Sequence, residues 1–158
     1  MALRKIVEVG DPILRKKSRP VEKFDERLHT LLDDMRETLI DADGAGLAAP
    51  QVGVMRRIAI VENEGEYIEL INPEIVSREG EQEEIEGCLS VPGVWGITHR
   101  PMKVTVKATD RNGKEFTVSG EGLLARAFCH EIDHLSGKLF TDDVVKILTD
   151  EEVKERIG

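Results

Sequence analysis

Two rhythms of apolar positions run through the chain. Leu123, Leu124, Ala127, Phe128, Ile132 and Leu135 recur three and four apart, which predicts one stripe of a buried or half-buried helix and excludes a strand. Gly137 supplies its stop. Leu28, Leu31, Leu32, Met35 and Leu39 keep the same spacing, so a second helix is predicted from a cap at Asp25 to about Ile40, with Asp33, Asp34, Arg36 and Glu37 facing out. The other rhythm has period two. Segments 57–61 and 67–71 read as a hairpin ended by Asn72-Pro73, and Ile75-Val76 is a short strand. Segments 102–109 and 114–119 form a second hairpin through Asp110-Arg111-Asn112-Gly113. Residues 5–9 are expected to form a short strand before the turn at Gly10-Asp11-Pro12, and Thr149 to cap a short exposed helix in the tail. The expected fold class is α+β: short, mainly antiparallel strands packed around the central helix, with the 25–40 helix outside.

Length sets the scale of this picture. At 158 residues, the chain is about the size of one core, so residues 1–158 are expected to form a single domain. A net charge of −9 argues against a general nucleic-acid-binding surface. No run approaches a membrane span, and Met1-Ala2-Leu3-Arg4-Lys5 does not open a signal peptide, so the expected location is the cytoplasm. Two distant cysteines make no disulfide framework.

The chemistry is concentrated on the central helix. His130 and His134 are four apart and lie one above the other, so two imidazoles can converge on one metal ion. Glu131 points about 100° away and suits the role of base for an attacking water. By itself the motif is also compatible with a pair of surface histidines on an ordinary core helix. A catalytic site needs a third protein ligand, and Cys88 in Glu86-Gly87-Cys88-Leu89-Ser90 is the strongest candidate. The loop 44–53 holds three glycines and a proline, which alone reads as a turn where backbone can approach something closely. Glu37, Asp41 and Asp43, and the run Glu79, Glu81, Glu83 and Glu84, read as solvated surface, as do His29 and His99.

Three motifs stand in order along the chain: Gly44-Ala45-Gly46-Leu47-Ala48-Ala49-Pro50-Gln51, Glu86-Gly87-Cys88-Leu89-Ser90 and His130-Glu131-Ile132-Asp133-His134. Together they resemble the bacterial peptide deformylases, from Val9-Gly10-Asp11-Pro12 to about Phe140. The resemblance implies a metal held by Cys88, His130 and His134, with Glu131 as general acid and base. It also implies an oxyanion site made by the Gln51 amide and the Leu89 N–H, with substrate backbone contacts at Ala45, Gly46 and Gly87. The implied metal is Fe²⁺, with Zn²⁺, Ni²⁺ or Co²⁺ as substitutes. The implied partner is the N-formylmethionyl end of a new polypeptide, from which formate is released. Transient ribosome contact belongs to the same picture, although the acidic tail offers no basic helix for it.

Some residues stand beside that core of the resemblance. Leu123 and Ala127, one turn apart on the helix, are candidates for the methionine pocket wall. Trp95, in a rim loop 91–96, reads first as packing and second as a substrate wall. Arg100 is expected to pair with a carboxylate such as Asp133. Cys129 stands where many members carry glutamine and is expected to be a buried thiol. Two other classes fit parts of the pattern: a zinc peptidase taking its third ligand from Glu151, Glu152 or Glu155, and a structural metal module without catalysis.

Overall fold

The period-two segments pair as antiparallel ladders, and the two helical stripes close on them from opposite sides. In this computed structural model, which describes residues 2–157, the elements are α1 (Glu26–Ala42), β1 (Gly46–Ala48), β2 (Ile58–Asn63), β3 (Glu66–Glu79), β4 (Gln82–Cys88), β5 (Val91–Arg100), β6 (Lys103–Thr109), β7 (Glu115–Glu121), α2 (Leu123–Leu135), β8 (Val144–Ile147) and α3 (Asp150–Ile157). They form a five-stranded sheet in the order β1-β2-β3-β6-β7 and a three-stranded sheet in the order β4-β5-β8. The architecture is the expected α+β class.

Strand alternation explains how one sheet serves two helices. Ala59 and Val61 of β2 turn to one face, where they join Ala48, Leu70 and Val106 in a core with Ala125, Phe128 and Leu135 of α2. Ile58 and Ile60 turn to the other face and pack with Leu28, Leu32, Met35 and Leu39 of α1. Asp25 starts α1 as expected, its carboxylate accepting from the Leu28 amide at 3.1 Å. Gly137 follows α2 with φ 78°, a left-handed stop that glycine adopts without strain.

Several expectations are corrected. Asn72-Pro73 does not end its strand: β3 runs on to Glu79 through a register shift between Ile71 and Glu74. The irregularity is absorbed because Asn72, at φ 50°, bonds through its side chain to the amide and carbonyl of Val21 at 2.8 and 3.0 Å. Residues 5–9 form no strand, since the Val7 and Val9 amides donate to the carbonyls of Gln51 and Ser90 and continue no ladder. Asp34 faces inward, where it accepts from the Ala2 amide at 2.8 Å and from Arg4 Nε at 3.0 Å. The segment 91–96 is not a loop but the first part of β5, and β8 is an element that the sequence pattern did not announce. His29 is half-buried, with one ring nitrogen 2.8 Å from the Arg111 carbonyl. Thr149 does cap α3, its hydroxyl accepting from the Glu152 amide at 3.2 Å.

Candidate functional site

The end of β4 delivers Cys88 to the face of α2 that carries His130 and His134. The Cys88 sulfur and one ring nitrogen from each histidine all lie within 4.8 Å of one another, and no other group of three potential ligands converges among the described residues. Cys88 Sγ stands 3.3 Å from His134 Nε2. His130 Nδ1 is 2.9 Å from Glu86 Oε1, which places the proton on Nδ1 and leaves the Nε2 lone pair for the cluster. Burial, together with neighbouring His130 and Arg100, holds the His134 pKa well below its usual range, so His134 stays a neutral ligand. In the metal-free chain, burial lowers the His130 pKa, but Glu131, Cys88 and Glu86 outweigh it and hold the group well above its usual range, so a bound metal would displace the second proton, on Nε2. One thiolate and two imidazoles at this separation fit a divalent metal of borderline softness.

Glu86 is the functional residue that the sequence reading passed over. Buried between β4 and α2, it accepts from Arg100 Nε and Nη2, both at 3.0 Å, and from the Thr98 hydroxyl. Arg100 reaches on to Asp133 at 2.7 Å, the pairing expected for it. An ionic chain therefore runs from Asp133 through Arg100 and Glu86 to His130, and orients the ligand helix against β4 and β5. The signal was present: on a strand, residues two apart share a face, and Glu86 is two residues before Cys88.

Burial pushes the Glu86 pKa up, but hydrogen bonds from His130 and Arg100 outweigh it and bring the group down to about 2. Since this lies below the ordinary carboxylate value of 4.5, the ionised form stabilises the fold above that pH, and its contribution of about 3 kcal/mol fades as pH falls towards 2. Glu86→Gln should therefore lower the urea midpoint of the metal-free protein at pH 7, with the gap to the parent closing as the pH approaches 2. It should also weaken metal binding about 10- to 100-fold. A variant as stable as the parent at pH 7, with undiminished metal affinity, would remove Glu86 from this role.

Glu131 sits beside the ligands with 4 % of its surface exposed, and its Oε1 has no hydrogen-bond partner. Burial raises its pKa to about 7, where a carboxyl group can both take and give a proton near neutrality. Gly46 makes room for it: a Cβ at that position would stand 2.6 Å from Glu131 Oε2. Gln51 is also buried. Its carbonyl oxygen accepts from the Ala48 amide at 2.9 Å, and its Nε2 donates to Ser90 Oγ at 3.0 Å and lies 3.6 Å from Cys88 Sγ. Leu89 follows directly on Cys88, with its side chain against Gly44.

A cavity of about 450 Å³ opens over this cluster. Every residue that the sequence reading placed at the site lines it except His134: Ala45, Gly46, Gln51, Gly87, Cys88, Leu89, Leu123, Ala127, His130 and Glu131. Leu123, 63 % exposed, stands in this lining and not in the core. The cavity lies between two sheet edges, because β1 ends the five-stranded order and β4 ends the three-stranded one. Cys129, by contrast, is a buried thiol raised to about 11 by burial and takes no part in the cluster.

Comparison with known proteins identifies the family. Residues 3–149 match the family described as Polypeptide deformylase. The peptide deformylase of Caldicellulosiruptor bescii is 58 % identical over 156 residues, covering 99 % of this chain and 94 % of that protein. That of Acetivibrio thermocellus is 56 % identical over 156 residues, covering 99 % and 92 %. The crystal structure of a peptide deformylase from Legionella pneumophila matches with a TM-score of 0.87 at 50 % identity, over 98 % of this chain and 90 % of that one. The Thermotoga maritima peptide deformylase matches with a TM-score of 0.88 at 39 % identity, over 90 % and 97 %. The chain belongs to the polypeptide deformylase family and is an enzyme that removes the N-formyl group from newly made polypeptides.

Proposed function

We propose that Cys88, His130 and His134 hold a single divalent metal, Fe²⁺ in the cell with Zn²⁺, Ni²⁺ or Co²⁺ as substitutes, and that Glu131 is the proton-transferring residue beside it. The observation that carries this reading is the convergence of those three ligands beside a buried carboxylate with an unpartnered oxygen. When bound, the metal supplies Lewis acidity that makes water a competent nucleophile near neutral pH. Residues 1–158 act as one domain, and the work is done in the cytoplasm.

The chain's own groups account for the remaining steps. The formylmethionyl end lies as an added strand between the edges at Ala45 and Gly46 and at Gly87, with the methionine side chain against Leu123 and Ala127. Glu131 takes a proton from the attacking water as the new bond forms at the formyl carbon. The Gln51 amide and the Leu89 N–H donate to the oxygen that becomes negative. Glu131 then returns the proton to the methionine nitrogen as its bond to the formyl carbon breaks, and formate and a free N-terminus leave.

The other two classes find less support. Glu151, Glu152 and Glu155 belong to α3 and stand outside the ligand cluster, where Cys88 already provides the third group. A purely structural metal would have no use for a buried carboxylate facing a cavity. Contact with the ribosome is transient and does not run through a basic C-terminal helix, since α3 reads Asp-Glu-Glu-Val-Lys-Glu-Arg-Ile. No stable nucleic-acid partner is proposed for a chain of charge −9, and no described helix is long and apolar enough to cross a membrane.

Formate release from formyl-Met-Ala-Ser by anaerobically purified, iron-loaded protein tests this reading. The expected result is turnover that decays in air as iron and its thiolate oxidise. Full and lasting activity after aerobic handling, with iron as the sole metal, would rule out ferrous iron in this role, and no formate from metal-replete protein would overturn the site assignment.

A further inference from the structure

We propose that a second cavity, behind α2 and between its last turn and β3, binds the phosphate group of a small organic phosphate, with Arg57, Arg78 and Lys138 as its cations. The cavity holds about 600 Å³ and is separate from the metal cluster. Ile132 in its wall stands two positions from each histidine ligand, about 200° around the helix, and so faces away from them.

Arg57 is the reason to expect an anion there. Arg4, Arg15, Arg100 and Arg111 each pair with a carboxylate, whereas Arg57, half-buried at the foot of β2, pairs with none among the described residues. Its guanidinium donates to the Pro73 carbonyl at 3.2 Å and, at the outer limit of a hydrogen bond, to the Leu135 carbonyl at 3.5 Å. That engages two of its five N–H donors. The Leu135 carbonyl already accepts from the Ser18 amide at 2.9 Å, so capping α2 does not by itself require a half-buried cation. Burial pulls the Arg57 pKa down, the mark of a charge held without a counter-ion. Arg78, exposed on β3, has no carboxylate partner among the described residues either. Lys138 stands 3.5 Å from Asp143, but both side chains are more than half exposed, and an incoming anion can take such a pair apart.

The rest of the lining selects the kind of anion. Asp133 and Glu74 also stand in the wall. Asp133 is neutralised by Arg100 at 2.7 Å and Glu74 is exposed, so neither cancels Arg57. Both would repel the next phosphate of a polynucleotide, as would a chain of net charge −9. One phosphate group fits, gripped by the fork of a guanidinium. Inorganic phosphate would leave most of the cavity unfilled, and Pro73, Ile75 and Ile132 offer apolar surface to an attached organic group. The β3 wall is held in place by the bonds of the Asn72 side chain to Val21.

Calorimetric titration of nickel-loaded enzyme with phenyl phosphate, inorganic phosphate, phenol and an oligouridylate tests the assignment. Phenyl phosphate should bind about tenfold more tightly than inorganic phosphate, and phenol not at all. Arg78→Gln, at an exposed position, should fold as the parent does and weaken phenyl phosphate about tenfold, the loss expected for one hydrogen bond to a charged group. Arg57→Gln should weaken it at least as much, and if that variant does not fold, Arg78→Gln decides alone. In metal-loaded Glu131→Gln, saturating formyl-Met-Ala-Ser should leave phenyl phosphate binding unmoved. Affinity unchanged in Arg78→Gln, or displacement by the peptide, would place the anion elsewhere and overturn the site, as would no binding at millimolar concentration. Equal affinity for phenyl phosphate and inorganic phosphate would overturn the organic class and leave an adventitious ion only. An oligouridylate that bound more tightly than phenyl phosphate would overturn the small ligand in favour of RNA.

Discussion

Glu131→Gln should keep its metal and lose about 10² to 10⁴ of its turnover. Glutamine preserves the shape of the side chain, so the cavity and the close packing against Gly46 are retained. What it removes is the group that titrates: burial lifts Glu131 to about 7, matched to taking a proton from water and handing it to an amine within one catalytic cycle. The amide can do neither. The cost of burying a charge also falls away, so the variant should be no less stable than the parent. The measurement is kcat on formyl-Met-Ala-Ser beside the metal content of the same sample. Undiminished turnover at one metal per chain would mean that another group moves the proton.

Cys88→Ala should lose the metal and the activity with it. A thiolate contributes both negative charge and a soft donor atom to a borderline metal, and removing it leaves only two uncharged imidazole ligands. The loss of affinity should exceed the roughly 10- to 100-fold expected for residues that only orient a ligand, such as Glu86. The fold should survive, because Cys88 is half-buried at the end of β4 and the cores on both faces of the main sheet are formed by other residues. Metal content and circular dichroism on one preparation separate these effects. Metal retained at full occupancy in Cys88→Ala would point instead to a carboxylate third ligand and a peptidase-type site.

The contrast between Glu131 and Glu86 shows where the sequence carried the chemistry and where it did not. Glu131 is read from local spacing, because an α-helix places His130 and His134, four apart, on one face and turns the residue between them about 100° aside, whatever surrounds the helix. The α1 and α2 stripes, the Asp25 cap and the two hairpins were readable for the same reason: each depends on neighbours within a few residues. Cys88 was singled out as the strongest remaining ligand, and the family resemblance assigned it. Glu86 stood in the motif around Cys88 with no role of its own. Only the packing of β4 against α2 turns it inward, where Arg100 and His130 make its charge tolerable.

The same division runs through the rest of the molecule. Local periodicity and the three motifs determined the fold class, the helix that holds the two histidines and the family of the chain. The tertiary structure decided the continuation of β3 past Asn72, the inward turn of Asp34, the conversion of the 91–96 segment into β5 and the cavity between the edges of β1 and β4. Each of these depends on partners far away in the chain: Val21 for Asn72, Ala2 and Arg4 for Asp34, β4 and β8 for β5. Contacts at long sequence separation leave no period in the sequence, so they become visible only once the strands and helices have packed.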